Sequence, residues 1–139
     1  INMEGSKSIV TMLTSENAAK PAASYCVATK VNLGEVTMIF GAGCIGLDPK
    51  SHTLISEDLK EQVAQSLDNM KAVLVDNGSS LDDVTRCQLF CLTMDDFASI
   101  NEVYQKYFTD HLPARACVAV KELPLGAKFE ILCDAVVKN

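Results

Sequence analysis

Residues 128–135 alternate, with Leu132 the single apolar exception. Phe129, Ile131, Cys133, Ala135 and Val137 are apolar, while Lys128, Glu130, Leu132 and Asp134 fill the other register. Such a strand has one face that must be covered, so the chain needs amphipathic elements to lay against it. Two segments supply them. Ser56 is placed to cap a helix whose first turn carries Glu57 and Asp58; Leu59, Val63, Leu67, Met70 and Leu74 then recur at helical spacing until Asn77-Gly78 stops it. A second helix is expected from Asp95 or Asp96, with Phe97, Ile100, Val103, Tyr104 and Tyr107 inward, ending before Pro113.

The remaining β-formers fall around these helices. Strands are expected over Lys7–Leu13, Ser24–Val31, Val36–Phe40 and Val84–Leu92, with Asn32-Leu33-Gly34-Glu35 as a hairpin turn and Thr14–Ala23 as a polar loop. The order is strands, helix, strand, helix, strand pair. It predicts an α+β sandwich with two helices on one face of a mixed sheet, in a single domain over residues 1–139.

The stretch Leu112–Asp134 concentrates the chemistry. A strand over Ala114–Lys121 sets Ala114, Ala116, Val118 and Val120 against Arg115, Cys117, Ala119 and Lys121, and Leu123-Pro124-Leu125-Gly126 has the residues of a turn into the last strand. Read as a two-stranded ribbon whose apolar faces meet the helices, it puts Arg115 and Glu130 together on the far side. Arg115 has a planar fork suited to a carboxylate, or to an ion pair with a neighbouring acid. Glu130, beside Leu132 and Cys117, is either a solvated surface acid or a half-buried one able to pass a proton.

Other motifs resolve towards structure. Gly41-Ala42-Gly43-Cys44-Ile45-Gly46 satisfies the dinucleotide fingerprint, but Leu47-Asp48-Pro49-Lys50 prevents the helix that would present amides to a pyrophosphate. These glycines instead let a ligand or another backbone approach. Cys117 has no histidine placed to activate it, since His52 and His111 sit in loops. Cys87 and Cys91 share a strand face about 13 Å apart by strand rise, too far for one zinc. No metal is expected.

Several of these residues together resemble the signature of the Rid family, the reactive enamine/imine deaminases also called the YjgF or L-PSP family. The resemblance rests on Pro113-Ala114-Arg115-x-Cys117-Val118, Glu122-Leu123-Pro124 and Phe129-Glu130-Ile131. It extends to Tyr25, to Gln65-Ser66-Leu67-Asp68-Asn69, and to Asp96-Phe97 followed by Asn101-x-x-Tyr104. It implies a chorismate-mutase-like fold, a homotrimer whose sheets form a central barrel, and sites at the subunit interfaces. It further implies cofactor-free hydrolysis of 2-enamine or 2-imino acids, such as 2-iminopropanoate and 2-iminobutanoate, to 2-keto acids and ammonium. Arg115 would hold the carboxylate and Glu130 would activate water. The backbone at Cys117, the strand at Ala42 and Gly43, and the Tyr25 ring would line the ligand. Ala42-Gly43-Cys44 departs from the serine-glycine-glutamine of many members, and Asp95 replaces a common asparagine. The alternatives are the ribonuclease activity behind the L-PSP name and a non-catalytic binder of small carboxylates.

Charge bears on that choice. Eighteen acidic residues against twelve basic leave a net charge of −6, without the Lys/Arg cluster that a nucleic-acid surface draws on. No apolar run reaches the roughly 20 residues of a membrane span, and no basic-then-apolar leader opens the sequence. A cytoplasmic protein with reduced thiols is expected, its six cysteines falling mainly inside apolar strand patterns.

Overall fold

In the computed structural model, which describes residues 8–139, the alternating last segment is strand β7 (Phe129–Lys138), near the middle of a seven-stranded sheet. Phe129, Ile131, Cys133 and Ala135 are at most 1% exposed, so one face of this strand is wholly covered. The other strands are β1 (Val10–Leu13), β2 (Ala28–Asn32), β3 (Val36–Gly41), β4 (Cys44–Ile45), β5 (Val84–Cys91) and β6 (Ala114–Ala119). Their order is β1-β2-β3-β7-β5-β6, with the short β4 also on β7. Lys7, the expected start of the first strand, lies outside the described residues.

Helices α1 (Leu59–Asp76) and α2 (Phe97–Tyr107) cover the β7 core face. The cap of α1 differs by two residues from expectation. The Asp58 carboxylate accepts from Glu61 N–H at 2.9 Å, while the Ser56 hydroxyl accepts from Asp58 N–H. Asp58 wins because it immediately precedes the first helical residue. Val63, Leu67, Met70, Val73 and Leu74 are buried as the periodicity requires. At the other end Gly78 N–H bonds Val75 O and Ser79 N–H bonds Leu74 O, a Schellman arrangement. In α2, Ile100, Val103 and Tyr104 are buried, but Phe97 lies at the rim. Cys87, Cys91 and Cys133 pack in this core as small hydrophobes. No described helix is long and apolar enough to cross a membrane.

Two expectations about the last strands are corrected. β6 and β7 are not a ribbon, because β5 runs between them, parallel to β6 and antiparallel to β7. The connection is therefore a crossover past the end of β5. Val120 N–H is held by Cys91 O, and Pro124–Gly126 forms a 3-10 turn. Sequence alternation cannot distinguish strands that pair directly from strands that share a neighbour.

The faces also differ. Cys87 stands opposite both Cys133 and Arg115, so Arg115 belongs to the helix-covered face. Glu130 is opposite Phe90, itself opposite Val118, on the face without helices. β6 is apolar on both sides, with Ala114, Ala116 and Val118 against Cys117 and Ala119, so its own pattern does not choose. The aromatic residues of α2 decide it by receiving the arginine.

The helix-free face is consequently rich in unburied apolar side chains. Met12, Thr29, Phe40, Asp134, Arg86 and Ala114 form one row across six strands. Met12 is 76% exposed, Phe40 42% and Val118 44%.

Candidate functional site

The sheet is split beside β7, and the candidate site forms there. β3 pairs with β7 from Asp134 to Lys138 and β4 pairs with Glu130 and Ile131, so the strand shifts partners across Ala42-Gly43. This is why the glycine-rich stretch opens no phosphate-binding helix: it enters β4, and α1 begins only at Leu59. Gly46 lies against the α1 backbone, where an added Cβ would stand 2.8 Å from Gln62 Cα. A Cβ on Gly43 would overlap the Glu130 carboxylate, so glycine there lets that side chain lie across the strand.

Three buried polar residues on the inner face of α1 hold this irregular region. Asn69 donates to Ile45 O at 3.2 Å and Leu47 O at 2.8 Å, and its own oxygen accepts from Gln65. Gln62, fully buried, accepts from Lys128 N–H at 2.8 Å, two residues before Glu130, and donates to Ser56 O. Ser66 bonds back to Gln62 O. These roles escape a hydrophobic-periodicity reading. The available signal was polar residues at positions 62, 66 and 69, on the stripe the apolar pattern assigns to the core.

A loop from residues 14 to 27 closes the site from above, and α1 anchors it. The Asp76 carboxylate accepts from Ser15 Oγ at 2.6 Å, from Asn17 Nδ2 at 2.8 Å and from the Glu16 and Asn17 amides. The Ser15 and Asn17 side chains, with those amides, hold Asp76 below the usual carboxylate range. Ala42 N–H bonds Val27 O, tying the far end of the loop to the glycine-rich stretch.

Between loop, α1 and the split sheet is a cavity of about 60 Å³, whose lining includes Tyr25, Ala42, Gly43, Cys44, Asn69, Val73 and Glu130. Tyr25 lies before β2 rather than in it, half exposed, its hydroxyl accepting from Ala22 N–H. Glu130 is half-buried, and burial raises its pKa above the usual carboxylate value. Among the described residues its carboxylate has no hydrogen-bond partner or counter-ion. It is a carboxylate of raised proton affinity beside a small, mostly apolar hollow.

Arg115 and Cys117 lie elsewhere. Arg115 donates from Nη1 to Asn101 Oδ1 at 2.7 Å, and its guanidinium carbon is 4.7 Å from the Tyr104 ring centre and 5.5 Å from that of Phe97. Nε and Nη2 bond none of the described residues, so that edge of the fork is unpaired. A second cavity lies here, lined by Arg115, Asn101, Tyr104 and Leu112 among others. Cys117 is half-buried against the core, and burial with the neighbouring Cys91 pushes its thiol up to about 11. The His111 ring is taken up by Val84 O at 2.6 Å, which leaves Cys117 without an activating base. One chain therefore gathers Tyr25, Ala42, Gly43 and Glu130, and separates them from Arg115 and Cys117. Among the described residues no group of three or more His, Cys, Asp and Glu side chains is arranged to hold a metal.

Comparison with known proteins agrees with this architecture. The sequence matches the endoribonuclease L-PSP family over residues 15–137. It is 39% identical to the 2-iminobutanoate/2-iminopropanoate deaminase of Salmonella typhimurium, across 89% of this chain and 95% of that protein. It is 41% identical to protein HMF1 of Saccharomyces cerevisiae across 94% and 100% of the two chains. The crystal structure of E. coli TdcF with bound serine superposes with a TM-score of 0.81 at 34% identity, covering 91% of this chain and 98% of that one. With its mixed sheet, two helices on one face and a sequence match over nearly all its length, the chain belongs to the endoribonuclease L-PSP family, also known as the YjgF or Rid family.

Proposed function

We propose that this protein is a cofactor-free deaminase that hydrolyses 2-imino and 2-enamine acids, such as 2-iminopropanoate and 2-iminobutanoate, to 2-keto acids and ammonium. The observation that carries the reading is Glu130: a half-buried, unpaired carboxylate of raised pKa lying across Gly43 at a small cavity. In the protonated imine the C=N carbon is already electrophilic. Glu130 takes a proton as water oxygen bonds that carbon and the π electrons move to nitrogen. It returns the proton to the amine of the resulting carbinolamine, the C–N bond breaks, and the hydroxyl proton leaves with the departing nitrogen as ammonium. The charge of the iminium supplies the driving polarity, so the step requires neither metal nor cofactor.

A substrate this small cannot touch Glu130 and Arg115 of the same chain, which face opposite sides of the sheet. The site is therefore shared: Glu130, Tyr25 and the Ala42-Gly43 strand come from one copy, and Arg115 with the backbone at Cys117 from its neighbour. The unpaired Nε/Nη2 edge of Arg115 matches a carboxylate in two parallel hydrogen bonds. A homotrimer closed around the exposed apolar face meets this need and buries Met12, Phe40 and Val118. The net charge of −6 disfavours RNA as the partner.

The test couples an amino-acid oxidase, as the source of imine, to semicarbazide as competitor. Less semicarbazone in the presence of this protein supports deamination. Unchanged semicarbazone, with retained binding of pyruvate, points to a carboxylate binder instead. Light scattering is expected to give about three times the 15.0 kDa chain mass; a stable monomer would remove the shared-site arrangement.

A further inference from the structure

Five of the six cysteines lie in strands, and β5 contributes two of them to the helix-covered face. Cys87 stands directly opposite Cys133 on β7. Cys91 stands diagonal to Cys117 on β6, since Cys117 is paired with Leu89 and Cys91 with Ala119. The two thiol pairs differ in access. Cys87 and Cys133 are at most 1% exposed and are sealed in the core. Cys91 is buried as well, but Cys117 is half-buried on the last strand of the sheet, and its thiol neighbours that of Cys91. An accessible thiol backed by a second one is the arrangement in which a first oxidation is resolved as a disulfide.

Strand geometry favours a bond that opens and closes over a permanent one. Strands about 4.8 Å apart, rising about 3.3 Å per residue, put diagonal neighbours about 8 Å from Cα to Cα, whereas a disulfide spans about 4.4–6.8 Å. Closing the bond therefore draws Cys117 towards Cys91 by about 1 Å, and a bond closed under strain is more easily reduced. β6 is able to move, because among the described strands only β5 pairs with it. The carboxylate half of the proposed site moves with it: the Cys117 backbone, and Arg115 two residues upstream.

We propose that Cys91 and Cys117 are a reversible dithiol modification site, bridged under peroxide, and that the bridge withdraws Arg115 and the Cys117 backbone from the ligand. The bond itself is independent of the deaminase reading, and its effect on a bound carboxylate rests on that reading. The Cys117 sulfur attacks one oxygen of hydrogen peroxide: an S–O bond forms, the O–O bond breaks, and the departing hydroxide takes the thiol proton and leaves as water. The Cys91 sulfur then attacks the sulfenic sulfur, the S–S bond forms as the S–O bond breaks, and a second water leaves with the Cys91 proton. The two sulfurs give up two electrons and the peroxide takes them.

The experiment treats the reduced full chain with hydrogen peroxide at mildly alkaline pH, where the Cys117 thiolate is better populated. Disulfides are mapped by peptide mass spectrometry after alkylation, and pyruvate is titrated calorimetrically into reduced, oxidised and re-reduced protein. A Cys91–Cys117 linked peptide is expected as the first disulfide, with pyruvate bound about tenfold or more weakly, as a displacement of about 1 Å in a positioning group can produce, and with affinity restored by dithiothreitol. Cys91→Val and Cys91→Ser leave both ligand groups in place. Whichever of them retains the parent's cooperative unfolding should form no bridge, yield Cys117 sulfenic acid to dimedone, and lose less pyruvate affinity under the same treatment. Cys91 still open to alkylation after Cys117 is oxidised, or a first bridge at Cys87–Cys133 or through Cys26, would overturn the assignment. A Cys91–Cys117 bridge with unchanged pyruvate affinity would overturn its coupling to the ligand. If the bridge forms and pyruvate binds neither the reduced nor the oxidised protein, the dithiol stands and the carboxylate-site reading fails.

Discussion

The two candidate halves of the site are built in different ways. Glu130 sits in a region fixed from three sides within one chain: Gln62 holds the strand two residues upstream, Asn69 holds β4 and its continuation, and Asp76 holds the loop above. Arg115 sits on the last strand of the sheet, steadied by one hydrogen bond and two aromatic rings, with one edge of its fork unpaired. The first half is organised before any ligand arrives. The second has an unpaired edge, which is where the proposed function puts a neighbouring copy and a substrate carboxylate.

Substituting the two charged groups gives the largest expected effects and tests the division directly. Glu130→Gln keeps the shape but cannot take a proton at neutral pH, so turnover should fall on the order of a hundredfold to a thousandfold while a 2-keto acid still binds. Arg115→Ala should lose keto-acid binding as well. Arg115→Lys, which keeps charge without the fork, should lower kcat/KM by about tenfold or more, chiefly through KM. All three variants must retain the parent's oligomeric state for the comparison to hold. If Glu130→Gln abolishes binding and Arg115→Ala spares it, the roles are reversed.

Next in size is the support beneath Glu130. Asn69→Ala removes the donors to two buried carbonyls and should cost about 2 kcal/mol of stability, measured by denaturant unfolding. Asn101→Ala touches the other half, where the lost acceptor leaves a half-exposed guanidinium that water can reach. Its stability cost should be within about 0.5 kcal/mol, the usual range for surface changes. Equal destabilisation by the two would mean that the halves are equally fixed.

What was legible in the sequence follows the same division. The β7 alternation and the α1 periodicity are local patterns with one physical solution each, and the structure follows them closely. The family signature gathered Tyr25, Ala42, Gly43 and Glu130, which the fold does bring around one cavity. The placement of Arg115 was not legible, because its face depends on β5 entering between β6 and β7 and on the rings of α2. Neither is encoded within β6, whose small residues suit both faces. The polar ridge of Gln62, Ser66 and Asn69 was visible as letters but not as function, since its partners are backbone carbonyls and an amide far along the chain.

The smallest effect concerns two carboxylates of the Glu130 half whose pKa values move in opposite directions. Burial raises that of Glu130 above 4.5, so on acidification it gains its proton early. Hydrogen bonds from Ser15 and Asn17 lower that of Asp76 below 3.8, so it stays ionised further into acid. The stability that Asp76 contributes is thus fully present above its unfolded value and is lost as pH falls through its lower folded value. For Glu130 the sign is opposite: the folded protein favours the protonated form, so its effect on stability becomes less favourable as pH rises through the raised value. Turnover should therefore fall on the acid side while the loop remains in place. Hydrogen exchange at the amides of Glu16 and Asn17 should keep constant protection across that limb, after correction for the pH dependence of intrinsic exchange. Asp76→Asn should lower this protection at neutral pH with only a small change in global stability. If protection and activity decline together in the parent protein, opening of the loop, and not protonation of Glu130, sets the acid limb.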